Sequence, residues 1–232
     1  MIALMSRARE RNHGATVVIL VAAIVSACHS TTTSGSTAST TSAAFPYPPF
    51  EIRTDVAVPL DHPLIDAAQF ALGMSVDNRL KNDPDNDSIK RRFRSNLSPE
   101  ADISDAPPVP DNFTGATGGA LHRAVGARQL PENTVEVTIC SYDTPGLYAH
   151  SKSGEVIGPD PKRPFAVERP LVQWTDRPAA DASVPDSPRW LWVGQTRTYD
   201  LTMEQIAAVC APFKPEPFIQ KMPDPIAPTP SP

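Results

Sequence analysis

Apolar residues fall into three regimes along this chain. They are continuous from Ala15 to Val25, periodic between about Val58 and Cys210, and sparse elsewhere. In the periodic region, Leu64, Ile65, Ala68, Leu72 and Val76 recur near the helical period, with Ala71 and Met74 beside them, which predicts a helix from about Pro63 to Leu80. Pro63 suits a first helical turn, where a missing N–H costs nothing, and Asp61 or His62 stands where a cap is needed. Polar and turn-forming residues from Lys81 to Asp87 break the pattern. A short basic helix with Ile89, Arg91, Arg92 and Phe93 is predicted to follow. Pro99, Pro107, Pro108 and Pro110 make Ser98 to Asn112 a loop. After Gly118-Gly119, the spacing of Leu121, Ala124, Val125 and Arg128 predicts a third helix.

The period then changes to two. Thr134 to Tyr142 alternates and is rich in β-branched residues, with Val135, Val137 and Ile139 on one face. Asp143-Thr144-Pro145-Gly146 reads as a turn, after which Leu147 to Ala149 begins another strand. Phe165–Trp174 and Arg189–Arg197 read as two further strands, joined by a loop holding Pro178, Pro185 and Pro188. In the last strand Trp190 and Trp192 point one way, Leu191 and Val193 the other. Thr202 and Gln205 have capping-box spacing and open a final short helix ending near Cys210. Helices first and consecutive strands afterwards give an α+β class, with N-terminal helices packed on an antiparallel sheet.

The continuous apolar run follows Arg7, Arg9 and Arg11 and closes on Val25-Ser26-Ala27-Cys28. It is about half the ~20 residues a bilayer-spanning helix needs, so it fits a secretory leader better than a retained span. Its last four residues resemble the lipobox of bacterial lipoproteins. The resemblance implies acylation of Cys28, which would be the first residue of the mature protein, held to the extracytoplasmic face of the cell membrane. An ordinary cleaved leader with an incidental Cys28 thiol is the other reading. Residues 1–27 are thus a signal peptide. Residues 28–57, rich in Ser, Thr and Pro, form a tether. Residues 58–211 are the folded domain, and residues 212–232 form a Pro-rich, disordered tail. In actinobacterial lipoproteins, which the chain resembles, such tethers can carry O-linked sugars.

The folded region also resembles actinobacterial lipoproteins related to the nuclear-transport-factor-like (cystatin-like) fold, over about Pro63 to Thr198. The carriers are the early helix, Val135 to Tyr142 with Cys140 inside it, the strand ending Gln173-Trp174-Thr175-Asp176, and Arg189 to Gly194. That resemblance implies a curved sheet wrapping the helices around a conical cavity. A plain α+β domain without a cavity fits the same residues.

The formal charge is −5, and losing three arginines and one glutamate with the leader makes the remainder more acidic. This argues against nucleic acid as a partner and against electrostatic binding to anionic lipid. Three cysteines are an odd count for an exported chain. Lipidation of Cys28 leaves Cys140 and Cys210 as one pair, which an oxidising compartment would join as a disulfide; two separate buried thiols are the other reading.

Chemical signatures are sparse. Asp83, Asp85 and Asp87 alternate as in calcium loops, but Ser88 stands where the sharp turn needs Gly and Arg94 where a bidentate Glu is needed. A solvated acidic turn opening the basic helix fits better, and no metal site is assigned. Lys90, Arg91, Arg92 and Arg94 read as a solvated helix face paired with neighbours. No two histidines have zinc-ligand spacing, and no nucleophile elbow, phosphate loop or dinucleotide fingerprint is present. No cofactor is implied. Some enzymes of the resembled fold use a His or Asp inside the cavity, which would make His122 with Asp143 the candidate pair; a structural histidine is the alternative. His122, Tyr142, Trp174, Trp190 and Trp192 are the candidate ligand-binding residues, although strand aromatics are commonly core. The expected function is a lipid-anchored, non-enzymatic binding module for a small apolar ligand or an envelope protein. The alternatives are an isomerase- or hydratase-like cavity enzyme and a structural accessory subunit.

Overall fold

A computed structural model of the chain describes residues 45–82, 86–103 and 112–226. The leader, Cys28, the tether up to residue 44, and Asp83 and Asp85 of the acidic turn lie outside the described residues. The described fold is α+β, with three α-helices among the described residues and one mixed seven-stranded sheet.

Its frame is a pair of long antiparallel strands, β2 (Phe113–Leu130) and β3 (Thr134–Ser151), each 18 residues long. β3 is the axis of the sheet. On one side it pairs with β2; on the other it pairs in turn with β6 (Pro170–Thr175), β5 (Phe165–Glu168) and β4 (Val156–Ile157). β7 (Arg189–Gln195) extends the sheet beyond β6, and β1 (Glu51–Val56) lies parallel to β2 at the other edge.

Several expectations are corrected here. Residues 113–130 form a strand, not a third helix. Register shifts between Phe113 and Gly115 and between Ala124 and Gly126 put bulges into β2. β2 is covered on both faces, Ala124 packing in the core with α1 and Leu121 and Val125 in the core with Cys140 and Cys210, so the buried neighbours Leu121-His122 and Ala124-Val125 imitate helical spacing. Asp143 to Gly146 is likewise no reversal of direction. It is a bulge inside β3, because Tyr142 faces Leu121 while Gly146 faces Gly119. The bulge needs two glycines: Gly118 and Gly146 have φ of +87° and +108°, and a Cβ on Gly118 would lie 1.9 Å from the Gly146 carbonyl oxygen. Phe165–Trp174 divides into β5 and β6 on either side of Arg169. The parallel partner β1 makes the sheet mixed rather than antiparallel, and it lies inside the stretch expected to be tether. Arg123 holds it through two hydrogen bonds to Asp55, at 2.7 and 2.6 Å.

The helices match the periodicity more closely. Helix α1 spans Leu64–Leu80 and α2 spans Asp87–Ser95. Neither Asp61 nor His62 caps α1 with its side chain; the Asp61 carbonyl accepts the Ile65 N–H instead. Helix α3, Met203–Cys210, opens with the Thr202/Gln205 capping box. The basic face of α2 is tied down at Arg92, whose guanidinium pairs with the buried Asp77 carboxylate of α1.

β3 has two faces, each with its own core. Val135, Val137 and Ile139 pack with Ala67, Ala68, Ala71 and Leu72 of α1. Cys140 and Tyr142 pack with Leu121, Val125, Val167 and Cys210. A third cluster joins Met74 and Phe93 to Trp192, which is fully buried and donates its indole N–H to the Gly194 carbonyl at 2.6 Å. The Cys140–Cys210 disulfide joins β3 to the end of α3.

The C-terminal segment is not loose up to Ile226. Lys221 donates its N–H to the Pro145 carbonyl at 2.9 Å, Gln220 donates its side-chain amide to the Asp143 carbonyl at 3.0 Å, and Ile226 donates its N–H to the Pro46 carbonyl at 2.7 Å. The β3 bulge offers the Asp143 and Pro145 carbonyls as acceptors and the segment before β1 offers that of Pro46, so an extended Pro-rich chain can follow them without a periodic apolar pattern of its own.

Replacing Cys140 and Cys210 together by serine opens a 70-residue separation and should lower unfolding free energy by about 4 kcal/mol on the chain-entropy account. Denaturant unfolding of the two proteins measures the difference. A free-thiol assay on unreduced, unfolded wild-type chain should find neither cysteine reactive.

Candidate functional site

One face of the core changes character along its length. On α1 the stripe Ala68, Ala71, Leu72 continues at helical spacing into Ser75, Asn78 and Arg79. On β3 the same face runs from Val135, Val137 and Ile139 into Ser141 and Asp143. On β2, Ala124 lies opposite Ile139 and His122 opposite Ser141; on β5, Glu168 lies opposite Ile139. Four elements therefore exchange apolar for polar residues at the same level. There the packing opens into a cavity of about 420 Å³.

The floor is a chain of hydrogen bonds. The Ser75 hydroxyl lies 2.9 Å from His122 Nδ1 and donates to Glu168 Oε1 at 2.8 Å. The Ser141 hydroxyl donates to the same carboxylate oxygen at 3.4 Å. Phe50, Ile52, Leu147 and Phe165 supply apolar wall, while Arg79, Arg163 and Tyr199 are exposed residues on its border. Asp143 also lines the cavity and accepts the Leu147 N–H at 2.8 Å.

The electrostatics follow from this enclosure. Burial lowers the His122 pKa to about 4, and the positive charge of Arg79 pushes the same way, so the imidazole is neutral at pH 7. Burial raises the Glu168 pKa, opposed by hydrogen bonds from Ser75 and Ser141 and by Arg79. Asp143 is also raised by burial, against its backbone hydrogen bond and Arg79. Perturbed titratable groups gathered in one cleft make it a candidate site.

The candidate residues from sequence divide into two groups. His122 and Tyr142 line the cavity. Tyr142 is nearly fully buried and donates its phenol O–H to the Cys210 carbonyl at 2.6 Å; burial raises its pKa to about 12. Trp174, Trp190 and Trp192 do not line this cavity. Trp174 is half exposed and stacks edge-on with Trp190 at 5.5 Å, and Trp192 belongs to the third core cluster. Tryptophan alternation marked strand faces, but those faces meet α1 and α2 beyond the cavity. His122 and Asp143 border the same space, yet the imidazole bonds to Ser75 rather than to Asp143.

Ser75 and Glu168 were missed in the sequence. A signal for Ser75 did exist, because it occupies a core position of the α1 stripe. Glu168 is a lone acid in a short strand, where solvent exposure is the ordinary reading. His150 packs against the rings of Phe45 and Tyr47, and His62 pairs with Asp66 at 2.6 Å. Among the described residues no three His, Cys, Asp or Glu side chains gather as a metal-ligand set. The chain matches no family model, and no curated protein matches it significantly.

The two shifts have opposite consequences for stability. His122 binds a proton more readily when unfolded, so its contribution is full above its ordinary value of 6.5 and is lost as pH falls toward about 4. The loss amounts to about 3 kcal/mol. Glu168 ionises more readily when unfolded, so its penalty grows as pH rises through its raised folded value. Glu168→Gln should therefore melt higher than wild type at pH 8, with the gain shrinking as pH falls to 4. His122→Gln should flatten the fall in stability between pH 6.5 and 4. Thermal unfolding across this range checks both.

Proposed function

We propose that this chain is an exported lipoprotein, held to the outer face of the cell membrane by acylated Cys28, whose domain binds a small, largely apolar ligand. The carrying observation is the cavity, with its aromatic and aliphatic walls and polar floor. Ligand sites are commonly concave and apolar with a few placed polar groups. The nuclear-transport-factor-like resemblance supports the same reading, because such a fold encloses a cavity between a curved sheet and its helices. The lipobox and the Cys140–Cys210 disulfide accord with export.

A second reading has its own observation. Neutral His122 and the carboxyls of Glu168 and Asp143 converge on one space, as an acid–base enzyme needs. The Ser75–His122–Glu168 order does not suit nucleophilic attack, because the acid bonds to the serine instead of orienting the histidine. Proton transfer, as in an isomerase or hydratase, is the chemistry this order permits.

Native mass spectrometry of the full chain, released from detergent micelles, tests the binding reading. Additional mass that departs on denaturation identifies a held ligand, whereas a bare protein mass at every stage counts against a carrier. Covalent acyl mass should survive denaturation and disappear in Cys28→Ala. A wild-type chain without such mass would refute the anchor.

A further inference from the structure

The floor of the cavity has a proton count that decides what it can recognise. Ser75 has one hydroxyl proton and two neighbours, His122 Nδ1 at 2.9 Å and Glu168 Oε1 at 2.8 Å. The carboxylate can only accept while it is ionised. A second hydroxyl, that of Ser141, points at the same oxygen, and Arg79 is the cation whose field reaches it. Burial opposes the anion, but the Ser75 and Ser141 hydroxyls converge on the one oxygen Oε1, which accepts from both whether or not Oε2 carries a proton, so the Ser75 proton goes to Glu168. His122 must then supply the proton of its own bond to Ser75, which places that proton on Nδ1. Nε2 keeps a bare lone pair. Among the described residues no group hydrogen-bonds to Nε2, and His122 lines the cavity.

We infer that Glu168 and Ser75 lock His122 as the Nδ1–H tautomer, so that Nε2 is an acceptor aimed into the cavity and the ligand's inner end is a hydrogen-bond donor, a hydroxyl compound. This rests on the binding reading above. Glu168 and Ser75 are positioning residues that act through His122. A neutral imidazole is required throughout, and burial provides it. A ligand without a donor leaves the lone pair buried and unsatisfied, which is costly, whereas a hydroxyl fills it. In the enzyme reading the same lone pair is the base that would take a proton from a substrate.

Histidine-selective ¹⁵N NMR on the full chain in detergent at pH 8, with His122 assigned by loss of its signals in His122→Gln, tests the lock. The expected result is a protonated Nδ1 and an unprotonated Nε2, the reverse of the tautomer free imidazole prefers in water. Ser75→Ala should return the proton to Nε2. A wild-type proton on Nε2 overturns the inference outright, whatever the variant does. The ligand half is tested with 1-hexanol and its methyl ether as probes. Hexanol should shift the Nε2 resonance and bind at least about tenfold more tightly, the scale of one hydrogen bond. Equal binding of alcohol and ether overturns the donor requirement but leaves the cavity as a binding site. Failure of both to perturb the cavity overturns the inference together with the binding reading.

Discussion

The ladder between β2 and β3 is the constraint on which the rest of the structure depends. Each later strand on the far side of the sheet pairs with β3 or with a neighbour of β3, and β1 at the near edge pairs with β2. Because β3 is buried on both faces around Ile139 and Cys140, its register determines two cores together. A slip of one residue would move Val135, Val137 and Ile139 off α1 and drive Cys140 away from Cys210. The bulges limit such slippage, since the backbone approach at Gly118 and Gly146 has no counterpart one residue away.

The same ladder creates the cavity. A packed core normally continues until it meets solvent, but here the apolar rows of α1, β2 and β3 end together and are replaced by serine, histidine and carboxylate. Burying those groups costs stability, which the hydrogen bonds of Ser75 and Ser141 only partly offset. The site is also stiff. Ser75 comes from a helix, His122 from a central strand and Glu168 from a strand paired to β3, so no loop positions the hydrogen-bonded chain.

The second face of β3 serves a structural purpose. Tyr142, Cys140 and Cys210 bring α3 onto the sheet, and the phenol O–H completes the carbonyl at the end of that helix. The segment beyond α3 then returns along the β3 bulge to meet Pro46. Both ends of the described chain are thereby held near the N-terminal half of β2 and the C-terminal half of β3.

The sequence by itself determined the elements whose signals are local. Helical spacing placed α1 and α2, the capping box of Thr202 and Gln205 placed α3, and alternation placed the Val135–Tyr142 segment. Cysteine arithmetic left Cys140 and Cys210 open between a disulfide and two separate thiols, and the fold brings them together as a disulfide. Tertiary structure decided what depends on distant neighbours. β2 reads as a helix until cores are found on both its faces, and Asp143 to Gly146 reads as a turn until Gly119 is found opposite Gly146. β1 has no apolar signature, since it is an edge strand held by backbone pairing and by Arg123. The site was half legible for the same reason. His122 stood out by residue type, but Ser75 and Glu168, 93 positions apart, gain meaning only when α1 is laid across β2 and β5.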